Sequence, residues 1–233
     1  MEVIPVLDLK DGAVVHARMG RRSQYRPIET PLSSTSDPID VARGLLSIYP
    51  FKTVYIADLD AIERIGDNHV ALLQLKTEFP DVTLWVDNGV ADWAGAGHWL
   101  ASGFGNLVLG SEAQKDATLV RNLSRDDRII LSLDYRGDAF VGPETLLSDA
   151  HAWPNRIIAM TLARVGSAMG PDWERLSAIK RCCAQRLVYA AGGVRDADDL
   201  AALARVGIAG ALVASCLHNG KLAGAQIARL QQR

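Results

Sequence analysis

The sequence predicts an α/β fold, a (β/α)8 or TIM barrel built from two half-barrel repeats, and three observations predict it. Short continuous apolar runs recur along the chain, stretches with helical spacing separate them, and the second half repeats the order of turns found in the first. The apolar runs are "VIPVL" (3–7), "TVYIA" (53–57), "TLWV" (83–86), "NLVL" (106–109), "IILSL" (129–133), "RIIAM" (156–160), "LVYA" (187–190) and "GALVA" (210–214). Because their apolar residues are continuous rather than strictly alternating, they read as parallel strands buried on both faces.

The intervening stretches read as helices. "DPIDVARGLLSIY" opens with Asp37 as a cap and Pro38 at the first helical position, with Val41, Leu45 and Ile48 at helical spacing. "NHVALLQLKTEF" and "DADDLAALARVG" follow the same logic, the latter ending at Gly207, and "PDWERLSAIKRCC" leads into the seventh strand. Eight such alternations in 233 residues suit one barrel domain over 1–233, although length alone also allows two small domains. Alternation alone leaves a doubly wound open sheet as the rival.

The repeat favours the barrel. "WVDNGVADWAGAGHWLASGFGNLVLGSEA" (85–113) and "YAAGGVRDADDLAALARVGIAGALVASCL" (189–217) register at one constant offset, matching Gly89 with Gly193, Asp92 with Asp196, Gly103 with Gly207 and Ser111 with Ser215. The dipeptide "LD" recurs at 7–8 and 133–134 with a larger offset, which a longer loop after the first strand accounts for. The half-barrels are expected at roughly 1–124 and 125–233.

Composition narrows the partners. A formal net charge of −2 gives no global pull toward nucleic acid or an anionic membrane, so any anion site must be local. The start "MEVIPVLDLK" has no basic segment ahead of a long apolar core, and no apolar run approaches the ~18 residues of a membrane span. Three cysteines, two of them adjacent at Cys182 and Cys183, suggest reduced thiols and a cytoplasmic protein, and no spacing suggests a metal site.

In such a barrel the residues after each strand face the active site. Asp8 and Asp134 are therefore expected on opposite sides of the mouth, where one carboxyl held protonated and one ionised make an acid and a base. The competing reading has each Asp capping a turn or pairing with Lys10 or Arg136. Glycine turns let backbone N–H groups approach an anion. "AAGGVRD" with "VASCLHNGK" makes one phosphate cradle from Gly192, Gly193, Ala214 and Ser215. "DNGVAD" with "LGSEA" makes a second from Gly89, Gly110 and Ser111. The competing reading for these glycines is tight strand–helix packing, stronger in the first half, where Asp87 would repel an anion.

These residues, in this order, resemble the histidine-biosynthesis barrels HisA and HisF over nearly the whole chain. "IPVLDLKDGAVVHARMG" looks like the HisA opening, "VYIADLDA" like the second-strand motif with Asp58 and Asp60, and "LSLDYRGD" like the fifth strand. "AAGGVRDADDLAAL" is close to the seventh-strand phosphate motif, and "GALVASCLHNGK" looks more like HisF. The resemblance implies a cofactor-independent Amadori rearrangement of a phosphorylated ribosyl substrate. Asp8 would be the general base and Asp134 the general acid.

The chain also departs from that family. HisA carries a glycine-rich turn ending in arginine after strand 3, where this chain has "VDNGVAD". After strand 6, "MTLARVGSAMG" keeps Arg164, Gly166 and Gly170, with Thr161 and Val165 where the family has acids. Arg164 and Gly166 thus join the expected substrate-binding set, as does His16 beyond the first strand. The loop "RRSQYRP" supplies Arg21, Arg22 and Arg26 and, with "VYIADLDAI", looks like a HisA/HisF-related branch of methanogens and methylotrophs. That branch implies a changed substrate, with a role in C1-carrier (methanopterin-type) biosynthesis. Ordinary histidine biosynthesis and a non-catalytic phosphometabolite-binding barrel are the alternatives. Trp93 and Trp99 are expected to pack, His69, His98 and His151 to be solvated, and Arg195 to reach a phosphate or pair with Asp196 or Asp198.

Overall fold

The computed structural model describes residues 1–183 and 185–231. Eight parallel strands close on themselves: β1 (Glu2–Lys10), β2 (Thr53–Asp58), β3 (Thr83–Asp87), β4 (Asn106–Gly110), β5 (Ile129–Arg136), β6 (Arg156–Thr161), β7 (Leu187–Ala191) and β8 (Gly210–Val213). Each pairs with the next in sequence, and β8 pairs with β1 in the register Ile4↔Leu212, so the sheet is a barrel and not an open layer.

Alternation along the strands explains the composition of the runs. Side chains two apart share a face. Ile4, Tyr55, Trp85, Val108, Ile130, Ile158, Tyr189 and Leu212, one from each strand, pack together inside the barrel. Their sequence neighbours, such as Val54, Val86, Leu107 and Leu131, face the surrounding helices in a second apolar cluster. At the amino-terminal end, Trp85 meets Tyr189 edge-on at 4.9 Å between centroids, and the Arg156 guanidinium lies 6.0 Å from the Trp85 ring. Glu2 ties this floor together, accepting from Thr53 Oγ1 at 2.6 Å and from the Tyr189 hydroxyl at 3.3 Å.

The helices are α1 (Pro38–Ile48), α2 (Leu59–Glu63), α3 (His69–Glu78), α4 (Trp93–Ser102), α5 (Thr118–Leu123), α6 (Glu144–Ser148), α7 (Trp173–Cys182), α8 (Ala197–Arg205), α9 (Ser215–His218) and α10 (Gly224–Gln231). Five begin at an aspartate whose carboxylate accepts first-turn N–H groups: Asp37 for α1, Asp58 for α2, Asp92 for α4, Asp172 for α7 and Asp196 for α8. Such caps each contribute about 1 kcal/mol.

Two strands run longer than the sequence predicts. A short strand, Ala13–His16, folds back on β1 with Asp8 opposite Val15, through a turn with Asp11 and Gly12 both at positive φ. Likewise Ala139–Phe140 folds back on β5. Trp99 is buried and donates to Gly105 O at 3.2 Å, whereas Trp93, expected to pack, is 62% exposed at the start of α4. All three cysteines are free thiols, Cys182 exposed and the other two buried. Among the described residues, no helix is long and apolar enough to cross a membrane.

Candidate functional site

At the carboxyl ends of the strands lies a cavity of about 310 Å³, and its walls include Asp8, Asp87 and Asp134. Each is the inward residue two places beyond another inward residue: Val6, Trp85 and Ser132. The segment between β1 and α1 covers this mouth. Its Met19 N–H donates to Val165 O at 2.9 Å, Tyr25 is buried beneath it, and Arg22 forms an ion pair with Glu112 from the other side of the opening. Lys10 turns away to Glu63 at 3.1 Å, so the competing Lys10–Asp8 pairing does not form.

Burial raises all three carboxyls: Asp8 to about 7, Asp134 to about 6 and Asp87 to about 8. Removing solvent from a carboxylate favours its neutral form. The Arg22 guanidinium works against this at Asp8. The charges of Asp134 and Glu112 add to it at Asp87. Hydrogen bonds hold Asp134 in place: Ser132 Oγ lies 2.7 Å from Oδ1, and Ser111 Oγ 3.0 Å from Oδ2. The Ser111 hydroxyl also accepts the Asp134 N–H at 2.9 Å and lies 2.7 Å from Val141 O. The Ser111 hydroxyl, shared between Val141 O and Asp134 Oδ2, and the Glu112 N–H at 3.3 Å both donate to that carboxyl oxygen, which holds the Asp134 pKa down against burial.

The β7–β8 side is an open cradle. Gly166, Gly192, Gly193, Ala214 and Ser215 all line the cavity. Gly192 and Gly193 sit at φ +99° and +87°, and a methyl group on Gly192 would stand 2.6 Å from Thr161 O. Only glycine fits this backbone.

The β3–β4 side is different. Gly89, Gly110 and Ser111, expected to form a second anion cradle, do not line the cavity; Asp87 does. The Asp87 Oδ1 accepts the Gly89 N–H at 3.1 Å, and a methyl group on Gly110 would stand 2.7 Å from Asp87 Oδ2. Gln114 Nε2 bridges Val90 O at 2.9 Å and Gly110 O at 3.3 Å. Ser111 is fully buried against Asp134. The Asp87 carboxyl occupies the space beside the Gly89 N–H and Gly110.

Other expected residues divide similarly. His16 lines the cavity, and its imidazole pKa is lowered by burial and by Arg18. His218 is partly buried, with Nδ1 3.0 Å from Thr30 Oγ1, and burial lowers its pKa to about 4. Arg164 turns from the cavity to the carbonyls of Gly170 (3.0 Å) and Pro171 (3.2 Å), because its own loop needs those acceptors satisfied. Arg195 pairs bidentately with Asp199 at 2.8 and 2.7 Å, not with Asp196 or Asp198. Asp58 and Asp60 are buried structural acceptors, both bonded by Asn68 Nδ2, at 2.7 and 2.9 Å. His69, His98 and His151 are exposed. Arg22 was read only as one of the strand-1 loop arginines, Glu112 and Ser132 had no signal in their local motifs, and all three come from segments that only the closed barrel brings together.

The family model described as "Histidine biosynthesis protein" matches residues 2–223. An uncharacterized protein of Methanocaldococcus jannaschii is 28% identical over 95% of this chain and 95% of its own length. A Halothermothrix orenii protein named 1-(5-phosphoribosyl)-5-((5-phosphoribosylamino)methylideneamino)imidazole-4-carboxamide isomerase is 27% identical over 95% of this chain and 96% of its own. Phosphoribosyl isomerase A of Streptomyces coelicolor is 28% identical over 94% and 93%.

Proposed function

Since this chain belongs to the histidine biosynthesis protein family, we propose that it is a cofactor-independent isomerase converting a phosphorylated ribosyl amine from its aldose to its ketose form. The observation that carries this reading is the pair of upward-shifted carboxyls, partly buried Asp8 and buried Asp134, in one cavity with the glycine cradle of β7–β8.

The cradle would hold the substrate's phosphate through backbone N–H groups of Gly192, Gly193 and Ser215, with the Ser215 hydroxyl helping, and Gly166 and His16 lining the approach. Asp134 would give its proton to the ring oxygen, opening the aminoribose ring to a C1 imine. Asp8 would then take the proton from C2, and the resulting enolamine relaxes to the ketose. Electrons and atoms balance within the substrate, so no redox partner is needed. The values of Asp8 and Asp134 are close, and by them alone Asp134 would ionise first. The fifth-strand resemblance supports Asp134 as the acid, and the Arg22 charge beside Asp8 supports its ionised, basic form.

Deuterium wash-in tests this directly. A 5-phosphoribosyl amine incubated in heavy water with the enzyme is expected to yield a ketose carrying one carbon-bound deuterium, at C1, read by mass spectrometry. Asp8→Asn and Asp134→Asn should each lower the rate by about 10²–10⁴-fold, the usual contribution of a positioned acid or base. Unchanged rates in both variants would overturn the assignment. A place outside histidine biosynthesis, in C1-carrier synthesis, belongs to the same proposal. Failure to rescue a histidine auxotroph lacking its own isomerase is its expected outcome, and full rescue would refute it.

A further inference from the structure

The proposed reaction leaves Asp87 without a task, although it is 6% exposed and stands in the cavity wall. Its carboxyl bonds the Gly89 N–H and lies against the Gly110 Cα. These are the backbone groups a phosphate would use on this side. Gln114 locks the two turns together, so the carboxyl cannot yield to an incoming anion by letting them separate. Around it, Ala57, Leu59 and Ile62 give the cavity an apolar wall, and Glu112 adds a second carboxylate whose counter-ion, Arg22, is already engaged by it.

Resting on the single-phosphate reading above, we infer that Asp87 is a specificity-determining residue: it excludes a second phosphate, and the β3–β4 end of the cavity takes a non-anionic group that donates hydrogen bonds, an amino or amide nitrogen on a largely apolar moiety. A phosphate here meets two carboxyl groups and finds its N–H donor already bonded. A nitrogen donor meets an acceptor in a dry wall, where a hydrogen bond to a carboxyl is stronger than in water.

The experiment compares two 5-phosphoribosyl ligands by calorimetry, one ending in a phosphate and one in a primary amide, with ribose 5-phosphate as reference. Wild type should bind the amide-ended ligand at least tenfold more tightly than the phosphate-ended one. Asp87→Gly should reverse that preference, while leaving ribose 5-phosphate affinity unchanged. Asp87→Asn keeps the shape and cannot ionise, so, compared at pH 9 where Asp87 is charged, it should bind the phosphate-ended ligand with intermediate affinity; it also serves if the glycine variant does not fold. Equal preference ratios in wild type and Asp87→Asn would overturn the inference. A different result separates the two proposals: if ribose 5-phosphate binds no variant yet the preference still shifts at Asp87, the inference stands and the β7–β8 phosphate assignment falls.

Discussion

The β3–β4 and β7–β8 turns occupy matching positions in the sequence and differ in what surrounds them. At β7–β8, Gly192, Gly193 and Ser215 line an open cavity wall. At β3–β4, Gly89 and Ser111 are bonded to neighbours inside the protein, and one inward carboxyl fills the space. Where β3 ends in Asp87, β7 ends in Ala191, and that single side chain accounts for much of the contrast. A glycine turn is a site only while nothing in the chain has claimed its N–H groups.

The largest effect expected from this contrast comes from alanine at the two central glycines. Gly193→Ala would drive a methyl group into Gly170 O, at φ +87°. Inorganic phosphate affinity, measured by calorimetry, should fall by at least tenfold. Gly89→Ala, at φ +68° and with its methyl 2.9 Å from Ile62 Cα, should lower stability by about 1–3 kcal/mol and leave phosphate affinity alone. Equal losses of affinity in the two variants would erase the distinction.

Next in size is the pH dependence of stability. Asp87 is raised from 3.8 to about 8, so between those values the folded protein holds a proton that the unfolded chain releases. Stability therefore falls as pH rises through that window. Asp87→Asn removes this loss, so its advantage in Tm should grow from pH 4 to pH 8, reaching on the order of 2–4 kcal/mol at about 1.4 kcal/mol per pH unit after allowing for its charged neighbours. A constant difference across pH would mean Asp87 is already ionised.

Gln114→Ala removes the bridge between the two first-half turns and leaves Gly110 O and Val90 O short of a donor, costing about 1–2 kcal/mol in denaturant titrations. The smallest expected change is a shift in the pH profile. Arg22→Ala takes away the positive charge that lowers Asp8, so the acidic limb of activity should move to higher pH by roughly half a unit. Movement in the opposite direction would place the Arg22 charge elsewhere.

Much of the barrel was legible because its strands are buried on two sides, and continuous runs such as "TVYIA" and "RIIAM" carry that fact locally. Cap residues Asp37 and Asp196 were legible for the same reason. The two strand extensions were not, since Ala13–His16 and Ala139–Phe140 take their shape from pairing with β1 and β5. Asp8 and Asp134 reach the cavity as strand alternation implies. Arg164 escaped the sequence reading because an arginine beside a glycine turn looks anion-seeking, whereas here two uncovered carbonyls claim it. Asp87 was legible as a repulsive charge but not as an occupant, because which atoms it satisfies depends on β4 lying beside β3.

The aromatic floor has a kinetic consequence. With Trp85, Tyr189, Arg156 and Glu2 stacked across the amino-terminal end, the barrel is a well and not a conduit. Reactant and product of the proposed reaction would both pass at the carboxyl ends of the strands, where Arg22 is tethered to Glu112. Each turnover must therefore empty the well before the next begins, and product should inhibit in strict competition with substrate.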